Sequence, residues 1–128
     1  MRNPDDSRKS PPMIMIVDAD PNVRELAGHF LTEAGYEVEY ALDGSEALDK
    51  AKKHPPVVIL LELIIPKLNG LTLCRLLKTD PATQNIKIVV LTVLISHKGA
   101  QIAGADAFLS KPMEKTRLLD AVSNVINP

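Results

Sequence analysis

Short apolar runs alternate with stretches of helical periodicity along this chain. Met13 to Val17 is apolar throughout and leads into Asp18-Ala19-Asp20-Pro21. That predicts a strand and then a helix start, because an acidic residue before proline supplies an N-cap and proline needs no amide hydrogen at the first helical position. Val23, Leu26, Ala27, Phe30, Leu31 and Ala34 follow on one helical face, and Gly35 is the expected stop. Tyr36 to Tyr40 alternates around Val38, flanked by Glu37 and Glu39, which suits a more exposed strand near a sheet edge. Asp43-Gly44 opens a second helix with Ala47, Leu48 and Ala51 inward. Lys50, Lys52 and Lys53 sit near its C-terminus, where cations are favoured, and Pro55-Pro56 ends it.

The run Val57-Val58-Ile59-Leu60-Leu61 does not alternate, so it reads as a strand buried on both faces, the middle of a parallel sheet. It carries one carboxylate, Glu62, before Pro66. Asn69 is placed to cap a third helix through Leu71, Leu73, Cys74 and Leu77, which Asp80-Pro81 breaks. Ile86 to Thr92 is a further buried strand. Ser96 to Ala103 is a short, weak helix, Gly104-Ala105-Asp106 a turn, and Ala107-Phe108-Leu109-Ser110 a last strand before Lys111-Pro112. The final helix carries Leu118, Leu119, Val122, Val125 and Ile126 on one face. Strand and helix alternate five times, which predicts an α/β domain with a parallel sheet covered on both sides.

Composition narrows the classes. The chain has 128 residues, 45% hydrophobic and 24% charged, with a formal net charge of -1. One domain is the natural size, and no general electrostatic pull toward nucleic acid or anionic lipid exists. Residues 1–12, with Pro4, Pro11, Pro12 and several charges, are expected as a disordered leader, and 13–127 as the folded domain. Cys74 is the single cysteine, which excludes an internal disulfide and suits a reducing compartment. No signal-peptide core or membrane-length apolar stretch is present, so a cytoplasmic location is expected.

Several strands end in polar residues: Asp18 with Asp20 after the first, Glu62 after the third, Thr92 at the fourth, Lys111 just past the fifth. In a parallel sheet these ends share one edge, where ligands collect in open α/β folds, so the acids, the hydroxyl and the ammonium should converge there. Other chemistries fit worse. No Walker or Rossmann glycine loop is present. His29, His54 and His97 share no metal-ligand spacing with Cys74. His29 and His54 read as solvated, and Cys74 as a small core residue. The four aromatic residues do not cluster with basic ones, which argues against nucleic-acid binding by this domain.

The chain resembles the receiver domains of two-component response regulators, the CheY-like family. The matching stretches are Ile16-Val17-Asp18-Ala19-Asp20-Pro21, Ala41-Leu42-Asp43-Gly44-Ser45-Glu46-Ala47-Leu48, Leu60 to Gly70, Val90-Leu91-Thr92 and Gly104 to Pro112, in order and at family-like spacing over roughly 13–127. The resemblance implies a flavodoxin-like (βα)5 doubly wound fold with strand order 2-1-3-4-5. It implies a non-enzymatic signalling domain that takes a phosphoryl group from a histidine kinase onto an aspartate after the third strand. Mg2+ held by acids after the first strand assists, and Thr92 and Lys111 match the family's phosphoryl-contacting residues. Phe108 matches the family's switch aromatic, with a plain core role equally open, and a cis Lys111–Pro112 bond is implied.

The departures concern the reaction itself. Glu62 stands at the phosphoacceptor position and is one methylene longer than aspartate. In-line transfer depends on placement, and an error of about 1 Å can cost roughly a hundredfold. Ala19 stands where the family usually has a second acid, a metal ligand, which leaves Asp18 as a weak metal residue. Asp20 could substitute in the acidic pocket, although its context favours the N-cap role. Mg2+ tolerates lost ligands poorly, so no resident cofactor is expected and Mg2+ binding is expected to be weakened. The expectation is a pseudo-receiver in which Glu62 reaches toward Thr92 and Lys111 and partly imitates phosphorylation, with about one negative charge against roughly -1.5 to -2 for a phosphate ester. Partners would be a histidine kinase or an output protein, met through the fourth helix, fifth strand and fifth helix, with a homodimer as a further option. The short segment between Thr92 and Gly104 points to a remodelled fourth helix. The alternatives are a working atypical receiver using Asp18, Asp20 and Glu62 with Mg2+ and, more distantly, a small flavodoxin-like flavin carrier or enzyme.

Overall fold

The structure, a computed structural model, describes residues 10–94 and 98–128. Its elements in chain order are β1 (Met13–Val17), α1 (Pro21–Glu33), β2 (Glu37–Ala41), α2 (Gly44–Lys53), β3 (Val58–Leu61), α3 (Gly70–Thr79), β4 (Lys87–Thr92), α4 (Lys98–Ala103), β5 (Ala107–Ser110) and α5 (Lys115–Ile126). The five strands are parallel in the order β2-β1-β3-β4-β5. This is the doubly wound flavodoxin-like sheet implied by the resemblance. Every residue of β3 is buried, as its unalternating run requires.

Two apolar layers hold the sheet. On one face Ile14, Ile16, Leu60, Val89 and Leu91 pack against Ala27 and Leu31 of α1 and Leu118 and Val122 of α5. On the other, Met15, Val17, Ile59, Leu61 and Val90 meet Ala47 and Ala51 of α2, Leu73, Cys74 and Leu77 of α3 and Ala103 of α4. The residues buried in each helix recur at helical spacing, so burial of a stripe rather than propensity holds these short helices.

Asp20, Asp43 and Asn69 cap α1, α2 and α3 through hydrogen bonds to the amides of Asn22, Glu46 and Thr72. Gly35, at φ +97°, ends α1 in the left-handed region open to glycine. The edge strand β2 departs from a simple in-and-out reading. Glu39 shares a face with the fully buried Ala41 and is itself half-buried, because helices cover both faces of this sheet. Its Oε1 is shielded and without a hydrogen-bond partner. Residues 1–9 of the expected leader, His97, and the first two residues of the expected fourth helix, Ser96 and His97, lie outside the described residues. Pro12 gives its carbonyl to the Glu37 N–H at 3.0 Å. None of the described helices is long and apolar enough to cross a membrane.

Candidate functional site

The parallel sheet brings the C-terminal ends of β1, β3, β4 and β5 to one edge, and with them Asp18, Glu62, Thr92 and Lys111. Glu62 lies one residue past β3, yet it is only 5% exposed; Asp18 is 4% exposed and Thr92 fully buried. Between the two carboxylates sits the Lys111 ammonium, 2.8 Å from Asp18 Oδ2 and 3.0 Å from Glu62 Oε1. The Lys111 N–H in turn donates to the Thr92 carbonyl at 2.8 Å, and the Lys111–Pro112 bond is cis.

Glu62 is tied further. Its Oε2 accepts the amides of Leu63 (2.6 Å) and Ile64 (3.3 Å), and its Oε1 accepts that of Val93 (3.4 Å). One carboxylate thus fastens the start of the β3–α3 loop, Val93 just past β4 and Lys111 just past β5. Burial pushes the Glu62 carboxyl up, but hydrogen bonds from Thr92 and Lys111, the Ile64 amide and the Lys111 charge outweigh it, leaving Glu62 below its ordinary value. Burial likewise pushes Lys111 down, and the paired carboxylates of Asp18 and Glu62 more than reverse this, so the ammonium is held above its ordinary value. Both groups are therefore charged at neutral pH. The Thr92 oxygen also accepts the Leu94 amide at 3.2 Å.

Asp18 Oδ1 accepts the Asp20 amide at 2.9 Å, and the Asp18 carbonyl accepts from Arg24 Nη1 at 2.8 Å. Asp20 is exposed, and its own Oδ1 is bonded to the Asn22 amide at the start of α1. Phe108 is half-buried and packs on the α2–α3–α4 side of the sheet. Cys74 is fully buried, donates to the Ala103 carbonyl at 3.5 Å, and burial pushes its thiol up to about 11, so it has no nucleophilic character. The Lys111 link to Asp18 and the Arg24 link to the Asp18 carbonyl were not legible in the sequence: the partners of the first lie on strands far apart in the chain, and no motif marks the second.

This donor set does not fit a divalent cation. Both oxygens of Asp18 and both of Glu62 already accept N–H groups, an ammonium fills the space between them, Ala19 offers a methyl, and Asp20 serves the helix. Among the described residues, no group of three or more His, Cys, Asp or Glu side chains is arranged to hold a metal ion.

The family profile of the response regulator receiver domain matches residues 14–123. The chain is 37% identical over 114 residues to the DNA-binding dual master transcriptional regulator RpaA of Synechocystis, covering 87% of this chain and 47% of that one. It is 38% identical over 117 residues to the response regulator PleD of Caulobacter vibrioides, covering 88% of this chain and 25% of that one. It thus spans half or less of either relative. Among solved structures, a response regulator from Chloroflexus aurantiacus superposes with a TM-score of 0.88 at 36% identity, covering 92% of this chain and 99% of that one. The chemotaxis response regulator CheY4 of Vibrio cholerae gives 0.84 at 30% identity, covering 90% and 98%. Fold, order of motifs and sequence identity agree, and the chain belongs to the response regulator receiver domains.

Proposed function

We propose that this chain is a pseudo-receiver: a two-component signalling domain that works by protein–protein contact and does not take up a phosphoryl group in the usual way. Receiver domains are signalling modules that meet histidine kinases and output domains. In this reading Glu62 stands at the phosphoacceptor position, Asp18 is what remains of the acidic pocket, Thr92 and Lys111 occupy the phosphoryl-contacting positions, and Phe108 that of the switch aromatic. The observation that carries the reading is the Lys111 ammonium between Asp18 and Glu62, with Glu62 also holding the Leu63, Ile64 and Val93 amides. A phosphoryl donor would have to approach a carboxylate that is 5% exposed and already occupied.

The same contacts support a partial imitation of the phosphorylated state. Glu62 touches Thr92 and Lys111, the groups that contact the phosphoryl group in the family. Signalling would then run through α4, β5 and α5. A groove of about 400 Å3 lined by Lys87, Asp106, Ala107, Ala121 and Val125 lies between the start of β5 and the end of α5. Incubation with a small phosphodonor and Mg2+, followed by intact-mass measurement, tests the reading. Unmodified protein is expected; a stoichiometric phosphoryl adduct on Glu62 overturns it and makes this a working atypical receiver.

A further inference from the structure

The occupied pocket has a consequence for ions. We propose that the Lys111 ammonium is the resident cation of this site, that it excludes divalent metal, and that the Leu63, Ile64 and Val93 amides therefore keep one arrangement at any magnesium concentration. The inference rests on the pseudo-receiver reading and adds what regulates, or fails to regulate, that site.

Magnesium needs near-octahedral oxygen ligands at about 2.0–2.1 Å and gives up its waters reluctantly. The pocket offers Asp18 Oδ2 and Glu62 Oε1, and both are within 3.0 Å of the same ammonium. A metal between them would have to displace Lys111, whose side chain is 15% exposed and whose backbone is anchored to the Thr92 carbonyl. The displaced ammonium would be left beside a divalent cation without a carboxylate of its own, and a like charge so close in a poorly hydrated site is strongly unfavourable. The neighbouring groups on the β1–α1 side do not compensate. Ala19 supplies no oxygen from its side chain, Asp20 is committed to Asn22, and the Asp18 carbonyl already accepts from Arg24.

The loops follow from the same inventory. Glu62 alone, without an ion, fastens Leu63 and Ile64 on one side and Val93 on the other. Ile64 and Val93 are each 59% exposed, the most exposed large apolar residues described, and they flank one carboxylate. Their apolar side chains are thus displayed at the rim in a fixed relation, set by a bond network that no metal enters.

Manganese is the probe, because its free ion has a resolved electron paramagnetic resonance spectrum that fades on binding. Titrated with the full chain at neutral pH, the free Mn2+ signal is expected to stay undiminished, and the melting temperature to be the same in MgCl2 as in NaCl of equal ionic strength. The A19D/E62D variant restores a second acid and shortens the carboxylate. It is expected to bind Mn2+ at least about tenfold more tightly than the wild type, or about 1.4 kcal/mol. Stoichiometric micromolar binding by the wild-type chain overturns the proposal, and that titration decides it even if the double variant fails to fold. A folded double variant that binds no better than the wild type also overturns it. Metal binding without a phosphoryl adduct would sink this inference and leave the pseudo-receiver reading intact; an adduct formed without metal would do the reverse.

Discussion

Replacing Lys111 by methionine keeps most of the apolar stem and removes the charge, leaving Asp18 and Glu62 facing each other with exposures of 4% and 5%. At about 3 Å and an effective dielectric of about 20, each lost ion pair is worth roughly 5 kcal/mol of gross attraction. Desolvation of the ammonium offsets much of that, and removing one partner of a buried pair costs about 3–5 kcal/mol net. We expect K111M to lose about 3–5 kcal/mol at pH 7 in urea unfolding followed by circular dichroism. K115M breaks the 3.6 Å Lys115–Glu33 contact between side chains 52% and 53% exposed and should lose under about 1 kcal/mol. The variant should also acquire a pH slope. With the ammonium gone, burial and the facing Asp18 raise the Glu62 carboxyl above its unfolded value, so its protonation relieves the strain and stability falls as pH rises from 5 to 7. Finally, E62Q should stabilise the K111M background while it destabilises the wild type, a sign reversal diagnostic of coupling between neighbours. A K111M cost as small as that of K115M, or an E62Q effect of the same sign in both backgrounds, would refute the picture of one ammonium shared by two buried acids.

Other outcomes follow from the same structure. E62Q alone should cost about 1.5–3 kcal/mol by urea unfolding, since it weakens charge-assisted bonds to Lys111 and three amides. In a pH series, Glu62 sits below its ordinary 4.5, so its contribution is present above that value and lost as pH falls through the lower folded value. Lys111 sits above 10.5, so its contribution is complete below 10.5 and lost as pH rises through the higher folded value. Wild-type stability from this pair should be flat between, and E62Q should soften the acid limb. G70A should cost about 1–3 kcal/mol, because a Cβ there meets Leu63 Cα and the Glu62 carbonyl, both backbone; a neutral effect would mean the β3–α3 loop yields. N69A should cost about 1 kcal/mol through the lost cap on the Thr72 amide, also read by urea unfolding.

The fold was legible where burial dictated local pattern. The apolar runs of β1, β3 and β4, the caps Asp20, Asp43 and Asn69 and the stop at Gly35 are all carried by residues close together in the chain. The boundaries moved by a residue: Val57, read as strand, is 41% exposed and precedes β3. The cap of α5, Glu114, which accepts from Thr116 and Arg117, went unread because glutamate is an uncommon N-cap. The convergence of Asp18, Glu62, Thr92 and Lys111 was legible from parallel strand ends. The reach of Glu62 toward Lys111 was expected too, but the Lys111 link to Asp18 and the amides that Glu62 claims were not, because they depend on how far a lysine stem reaches across neighbouring strands and on which oxygens the loops cover. Glu39 is a similar case: alternation around Val38 marked the face, but only the packing of α2 decides that this face is covered.

The central claim is a pocket closed by its own lysine, and amide spectra of the labelled chain with Mg2+ and beryllium fluoride, which mimics a phosphoryl group, test it most directly. The account predicts that the Leu63, Ile64, Val93 and Lys111 signals stay where they are in the free protein. Saturable shifts at those amides would show that the pocket opens and takes the ligand, contradicting it.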